Sequence, residues 1–111
     1  MGWEVIALGS IDLVVPKKLK DRSENAKKKK AFIKELELID QVISVRPQET
    51  GLNKAKIGFI NIEMSGNKGI DYEGLTVLCN KYADIIDGET ISFGEYCETG
   101  DGFYWERADK L

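Results

Sequence analysis

In the stretch Lys54 to Ser65, KAKIGFINIEMS, Ile60, Ile62 and Met64 recur at period two, with Asn61 and Glu63 between them. Alternation sends every second side chain of an extended chain to the same side, so this stretch reads as a strand with one buried face. Ile57 and Phe59 have the opposite parity. Its first half is therefore expected to be covered on both sides, which places the strand inside a sheet rather than at an edge. The remaining sequence has to supply strand partners on both sides and a layer of helix over the apolar face.

The first partner is the opening stretch. From Trp3 to Val15, Trp3, Val5, Ala7, Ile11, Leu13 and Val15 share one parity, and Glu4, Ser10 and Asp12 share the other. Gly9 falls on the apolar parity, where a missing side chain permits a bend, a bulge or close approach by another element. A strand this long is expected to bend near Gly9-Ser10. Pro16 closes it.

Ser23 is the expected N-cap of a first helix from Glu24 to about Leu38. Phe32, Leu36, Ile39 and Ile43 follow a helical rhythm, with Ile33 beside them. Lys27 to Lys30 are consecutive and fan around the helix. The segment Gln41 to Arg46, QVISVR, fits a helix end or, being β-branched, a strand. Pro47 is expected to stop either, with residues 48–53 as a loop. As a strand, QVISVR would form a hairpin with the opening stretch. After the Gly-rich link SGNKGID, Asp71 caps a second helix whose stripe is Leu75, Leu78, Tyr82 and Ile85, widened by Val77 and Ile86. Asp87-Gly88 ends it, with Gly88 in the left-handed C′ position.

The chain closes on an expected hairpin, Glu89 to Glu98 and Phe103 to Lys110, with ETGDG holding the turn. An odd number of loop residues, such as Thr99-Gly100-Asp101, puts Phe93 and Cys97 on the face of Phe103 and Trp105. An even number mixes those faces and can set Glu95 against Glu106, a costly like-charge pair. The odd loop is expected, with Trp105 inward and Tyr96 and Tyr104 outward. The order of elements predicts an α+β two-layer sandwich: an antiparallel-rich sheet with two helices on one face, in the ferredoxin-like βαββαβ order plus an extra C-terminal strand. At 111 residues the chain fits one domain, residues 1–111, and needs no staple to fold.

Two short patterns resemble a group of small uncharacterised proteins of bacteria and their phages. Met1-Gly2-Trp3, Gly9-Ser10-Ile11 and Pro16 match the opening of that pattern. Gly94-Glu95, Gly100-Asp101 and Trp105 to Arg107 match its closing hairpin. About a third of the chain carries the likeness; the lysine run does not. The resemblance implies a bacterial or phage setting and no particular activity.

Several function classes are disfavoured. There is no histidine, which removes the commonest general base and metal ligand. Two lone cysteines make a poor zinc site, so neither a metal nor a cofactor is expected. Cys79 and Cys97 read as reduced, partly buried thiols of a cytoplasmic protein, able to pair only if brought close in space. No apolar run is long enough to cross a membrane, and Met1-Gly2 lacks the Ser or Thr at position six that myristoylation needs. SGNKGID sits between a strand and a helix but lacks the spacing of a phosphate loop, and reads as a connector. Asp71 with Glu73, and Glu95 with Glu98, do not face each other as a catalytic pair would, so solvated surface is the better reading. No nucleophile–base set is assembled, and the chain is not expected to be an enzyme.

Two binding surfaces remain. Net charge is −3, but Lys17 to Lys30 holds eight basic and two acidic residues, while Asp84 to Leu111 holds eight acidic and two basic. Lys17, Lys18, Lys20, Arg22, Lys27, Lys28, Lys29 and Lys30 would bind anions or nucleic acid through phosphate contacts. The run contains no aromatic residue to stack on bases, and an acidic chain repels nucleic acid, so a solvated helix start is the plainer reading. The alternative is a protein-binding patch. Five of the ten aromatics fall between Phe93 and Trp105. Outward Tyr96 and Tyr104, flanked by Glu95, Glu98 and Asp101, form a surface on which Tyr is the favoured anchor. The expected role is a non-catalytic interaction protein with a protein partner, self-association being open.

Overall fold

The computed structural model describes residues 4–49, 57–96 and 102–108. The internal strand is β3, Ile57–Asn67, and it runs between β1, Glu4–Asp12, and β2, Val42–Glu49. Both neighbours are antiparallel to it. A short strand β5, Gly94–Tyr96, adds to the far edge of β1, so the sheet order is β2-β3-β1-β5. Among the described residues the fold is α+β, with two α-helices, α1 (Leu19–Glu37) and α2 (Glu73–Lys81), and antiparallel strands.

Parity in β1 and β3 sets the core. Ala7, Ile11, Ile60, Ile62 and Met64 are buried and share one cluster with Phe32 and Leu36 of α1 and Leu75, Leu78 and Cys79 of α2. Gly9 pairs with Ile62 in unbroken register, so neither a bulge nor a break in pairing lies there. Its function is close approach: a Cβ at Gly9 would lie 2.0 Å from Cδ1 of Phe93. The Phe93 ring packs directly on the β1 backbone, edge-on to Phe103 at 5.2 Å.

Several boundaries differ from expectation. QVISVR is a strand, but it pairs with β3 instead of the opening strand, and it continues through Pro47, which lies opposite Ile60. β2 is an edge strand and needs ladder donors on one side alone, so a proline fits there. The helical rhythm therefore stops short of Ile43, which is exposed. α1 begins at Leu19, five residues before the expected start, with Lys18 at the cap and no side-chain cap bond. The Lys, Arg and Glu residues of this turn are good helix formers. It is tied back to the connector by Arg22, whose Nε donates to the Pro16 carbonyl (3.4 Å), and Asn25, whose amide donates to that of Val14 (3.4 Å).

α2 is shorter than expected. Asp71 Oδ1 accepts the Glu73 N–H (3.0 Å), as a cap should, although Tyr72 takes the boundary position. The helix stops at Lys81 and tightens into a 3₁₀ turn, Ala83–Ile85. The end of β1 takes over the backbone that follows: Val14 N–H donates to Ile85 O and Asp87 N–H to Asp12 O, each at 2.8 Å. Gly88 has φ +110°, the positive value expected, but it serves the turn into the next strand and is not a helix C′ residue. Leu75, Leu78, Tyr82, Ile85 and Ile86 are buried as expected, whereas Val77 is exposed.

The long strand Glu89 to Glu98 is divided at Phe93. Its first part, β4 (Thr90–Ser92), pairs with β6 (Tyr104–Glu106) in a separate two-stranded sheet; its second part is β5 on the β1 edge. The extra C-terminal strand thus does not extend the main sheet. Ile91 faces Trp105, and Phe93 N–H donates to Phe103 O at 2.8 Å. The pairing keeps the parity of the odd loop but not the register of the example Thr99-Gly100-Asp101, which lies with Cys97 and Glu98 outside the described residues, Gly100 and Asp101 included. Phe93, Phe103 and Trp105 are buried, and Trp105 Nε1 donates to Asn80 Oδ1 (2.8 Å).

Arg107 closes this corner. Its guanidinium donates to the carbonyls of Ala83 (3.0 Å), Ile86 (2.8 Å) and Gly88 (3.0 Å). One planar donor group thereby reaches the Ile86 and Gly88 carbonyls of the loop and adds a second donor to the Ala83 carbonyl, which already accepts the Ile86 N–H.

Candidate protein-binding surface

The face of the sheet opposite the core follows from the second parity. Pairing aligns its residues in rows. Arg46, Asn61 and Ser10 cross β2, β3 and β1; Ser44, Glu63 and Leu8 form the next row and reach Gly94; Ser65, Ile6 and Tyr96 form a third. One end of this face is polar and the other apolar. Leu8 and Tyr96 are among the exposed large hydrophobic residues, Tyr96 at 69%. Between the rows lies a shallow concavity of about 460 Å³, lined by Leu8, Ser10, Ser44, Arg46, Asn61 and Glu63. Ser65 Oγ donates to Glu4 Oε1 (2.8 Å) beside it.

Of the acidic and aromatic residues expected to form one patch, the structure separates three. Tyr96 stands on the open sheet face. Tyr104 is also exposed, at 61%, but it belongs to β6 and pairs with Ser92 on the smaller sheet. Glu95 lies opposite Ala7, on the core-side parity, where it accepts a hydrogen bond from Tyr72 Oη (2.6 Å). Glu98 and Asp101 lie outside the described residues. Ile6 and Leu8, which sequence reasoning did not single out, occupy the polar parity of β1. Two large apolar residues on an otherwise polar face were the available signal.

The basic segment is dispersed. Lys28 Nζ reaches Asp84 at 2.6 Å, a contact that raises the lysine pKa. Lys29 is buried, and its Nζ donates to the Ile57 carbonyl (2.7 Å); burial lowers its pKa. Arg22 is turned back onto the Pro16 and Lys17 carbonyls. Lys17, Lys18, Lys20, Lys27 and Lys30 remain exposed. A lysine that donates to a strand carbonyl at the base of β3 is a structural tie, and it is lost to any phosphate.

Between the helices, Glu35 accepts from Lys81 Nζ (2.8 Å) and from Tyr82 Oη. The Lys81 contact, with the Tyr82 hydroxyl second, holds the Glu35 carboxyl below its ordinary value. Cys79 is buried, and desolvation pushes its thiol up to about 12, which makes it a poor nucleophile at neutral pH. Among the described residues no group of three or more acidic, Cys or His residues is placed to hold a metal ion. No helix among them is long and apolar enough to cross a membrane.

Comparison with protein-family models, with curated proteins and with solved structures gives no match.

Proposed function

We propose that this chain is a small non-catalytic interaction protein that binds a protein partner through the open face of its four-stranded sheet. The observation that carries the reading is the continuity of that face. Exposed Tyr96 and Leu8, with half-buried Ile6 between them, run into a concavity edged by Arg46, Asn61 and Glu63. Tyr and Arg are the residue types most enriched at energetically dominant interface positions, and a polar rim around an apolar centre is the usual anatomy. Glu98 and Asp101 of the closing hairpin, and not the core-side Glu95, are the acidic residues we propose to favour a basic partner surface. Tyr104, on the neighbouring small sheet, would extend the contact. A phage-type accessory or inhibitor protein, acting in the cytoplasm, is the setting we propose.

A ferredoxin-like arrangement is the fold reading that goes with this function, with β5 as its fourth strand. Insertion of β3 between β1 and β2, which α1 connects, supports it as a split βαβ unit. Helices over one face would leave the other free for a partner. Binding of nucleic acid by residues 17–30 is the less favoured reading, because Arg22, Lys28 and Lys29 are already engaged.

The test is partner capture by the unaltered chain against Tyr96→Ala, Leu8→Ser and Arg46→Glu, each checked for an unchanged thermal transition. A specific partner should be retained roughly tenfold less by each variant. Identical retention by all four proteins would overturn the reading.

A further inference from the structure

The helices carry a second unpartnered surface. Leu38, just past the end of α1, is 80% exposed, and Val77 on α2 is 57% exposed. Both line one open groove of about 540 Å³, with Ile39, Leu78 and Gly74 also in its wall. Large apolar side chains left this open, on two different elements, converge on the same concavity. Ile39 sits within ordinary contact of where a Cβ on Gly74 would stand, so the floor is formed without one.

The rim is acidic. Glu35, Asp71 and Glu73 line the groove, and Glu37 and Asp40 are exposed on either side of Leu38 in the chain. Lys81 is committed to Glu35. Lys34 is the basic residue of the last turn of α1. An apolar ligand without charge would strip water from the rim carboxylates and give nothing back. A nucleic acid or an anionic surface would be repelled. A cationic ligand with apolar anchors satisfies both parts of the groove.

We propose that the groove between the C-terminal end of α1 and α2 docks a cationic amphipathic segment of a partner protein. Its apolar residues cover Leu38 and Val77, and its lysines or arginines meet Asp71 and Glu73. The mode is that of an amphipathic helix laid in an apolar groove. It is independent of the sheet face, which carries neither this charge nor these residues.

The probe is a synthetic Leu/Lys peptide of about four helical turns, with its leucines on one face. A second peptide of identical composition and scrambled order controls for charge alone. Each is titrated into the isotopically labelled full chain, and amide shifts are followed by NMR. Saturable shifts should centre on Leu38, Ile39, Gly74, Val77 and Leu78, and the scrambled peptide should bind roughly tenfold more weakly. Val77→Ser and Glu73→Lys alter exposed side chains and should each weaken binding roughly tenfold, while Tyr96→Ala should leave it unchanged. Equal binding of both peptides, shifts centred on Leu8 and Arg46, or no binding would overturn the proposal. So would self-association of the free chain that Val77→Ser abolishes, because the groove would then belong to a second copy.

Discussion

Replacing Gly9 with alanine tests how Phe93 is held against the sheet. The new Cβ would lie 2.0, 2.3 and 2.6 Å from three carbons of the Phe93 ring. Ordinary carbon contacts are near 3.5 Å, so the ring must retreat by roughly 1.5 Å. It cannot do so freely, because the Phe93 N–H is bonded to Phe103 and its ring is packed edge-on to the Phe103 ring. Overpacking of a fixed core costs about 1–3 kcal/mol, and the upper end applies here. The better strand propensity of alanine returns about 0.5–1 kcal/mol. The expected net loss is about 2 kcal/mol, read as a lower urea midpoint at unchanged slope. Phe93→Leu alone should cost about 1–2 kcal/mol by lost packing. Because leucine relieves the contact, the double variant should be more stable than the sum predicts by about 1 kcal/mol. A Gly9→Ala chain within about 0.5 kcal/mol of the unaltered protein, or an additive double variant, would refute the close-approach argument.

Trp105→Ala should cost about 3–5 kcal/mol through the buried ring and its bond to Asn80, whereas Tyr104→Ala should leave urea stability nearly unchanged. Lys29 gives a pH signature. Its folded pKa is depressed below the ordinary 10.5, so between the two values the unfolded chain binds the extra proton and the cost of burying the charge fades as pH rises. The stability of the unaltered chain relative to Lys29→Met should therefore improve from neutral pH toward 10.5, and a pH-independent difference would remove Lys29 from the account. Replacing the five exposed lysines at positions 17, 18, 20, 27 and 30 with Gln should leave retention on immobilised DNA as weak as before. Strong, salt-sensitive retention that the changes abolish would revive the nucleic-acid reading.

Where local pattern determines the answer, the sequence was legible. Alternation in β1 and β3 marks the buried residues because a pleated strand has no other way to arrange them. The same is true of Leu75, Leu78, Tyr82 and Ile85, and of inward Trp105 against outward Tyr104 and Tyr96. Choices made between distant segments were not legible. Nothing local says that QVISVR should pair with β3, or that the edge position would let it pass through Pro47. The division of residues 90–96 depends on the free edge of β1, which takes Gly94–Tyr96 while Thr90–Ser92 goes to β6. The fanning of Lys27 to Lys30 follows from consecutive helical positions, whereas the groups that each lysine meets do not. Lys28 and Lys29 meet Asp84 and the base of β3. Adjacency in sequence puts Glu95 beside Tyr96, but neighbours in a strand face opposite ways.

Site-specific photocrosslinking addresses the sheet face most directly. A benzoylphenylalanine placed at position 96, in the cells from which the chain comes, would report what covers the exposed tyrosine position. A matching probe at Lys30 reports an exposed helix position away from the proposed surface. The account predicts a discrete protein adduct from position 96 that is absent from position 30 and disappears when Leu8→Ser and Arg46→Glu are added. No adduct from position 96, or the same adducts from both positions, would contradict the assignment of the open sheet face as the binding surface.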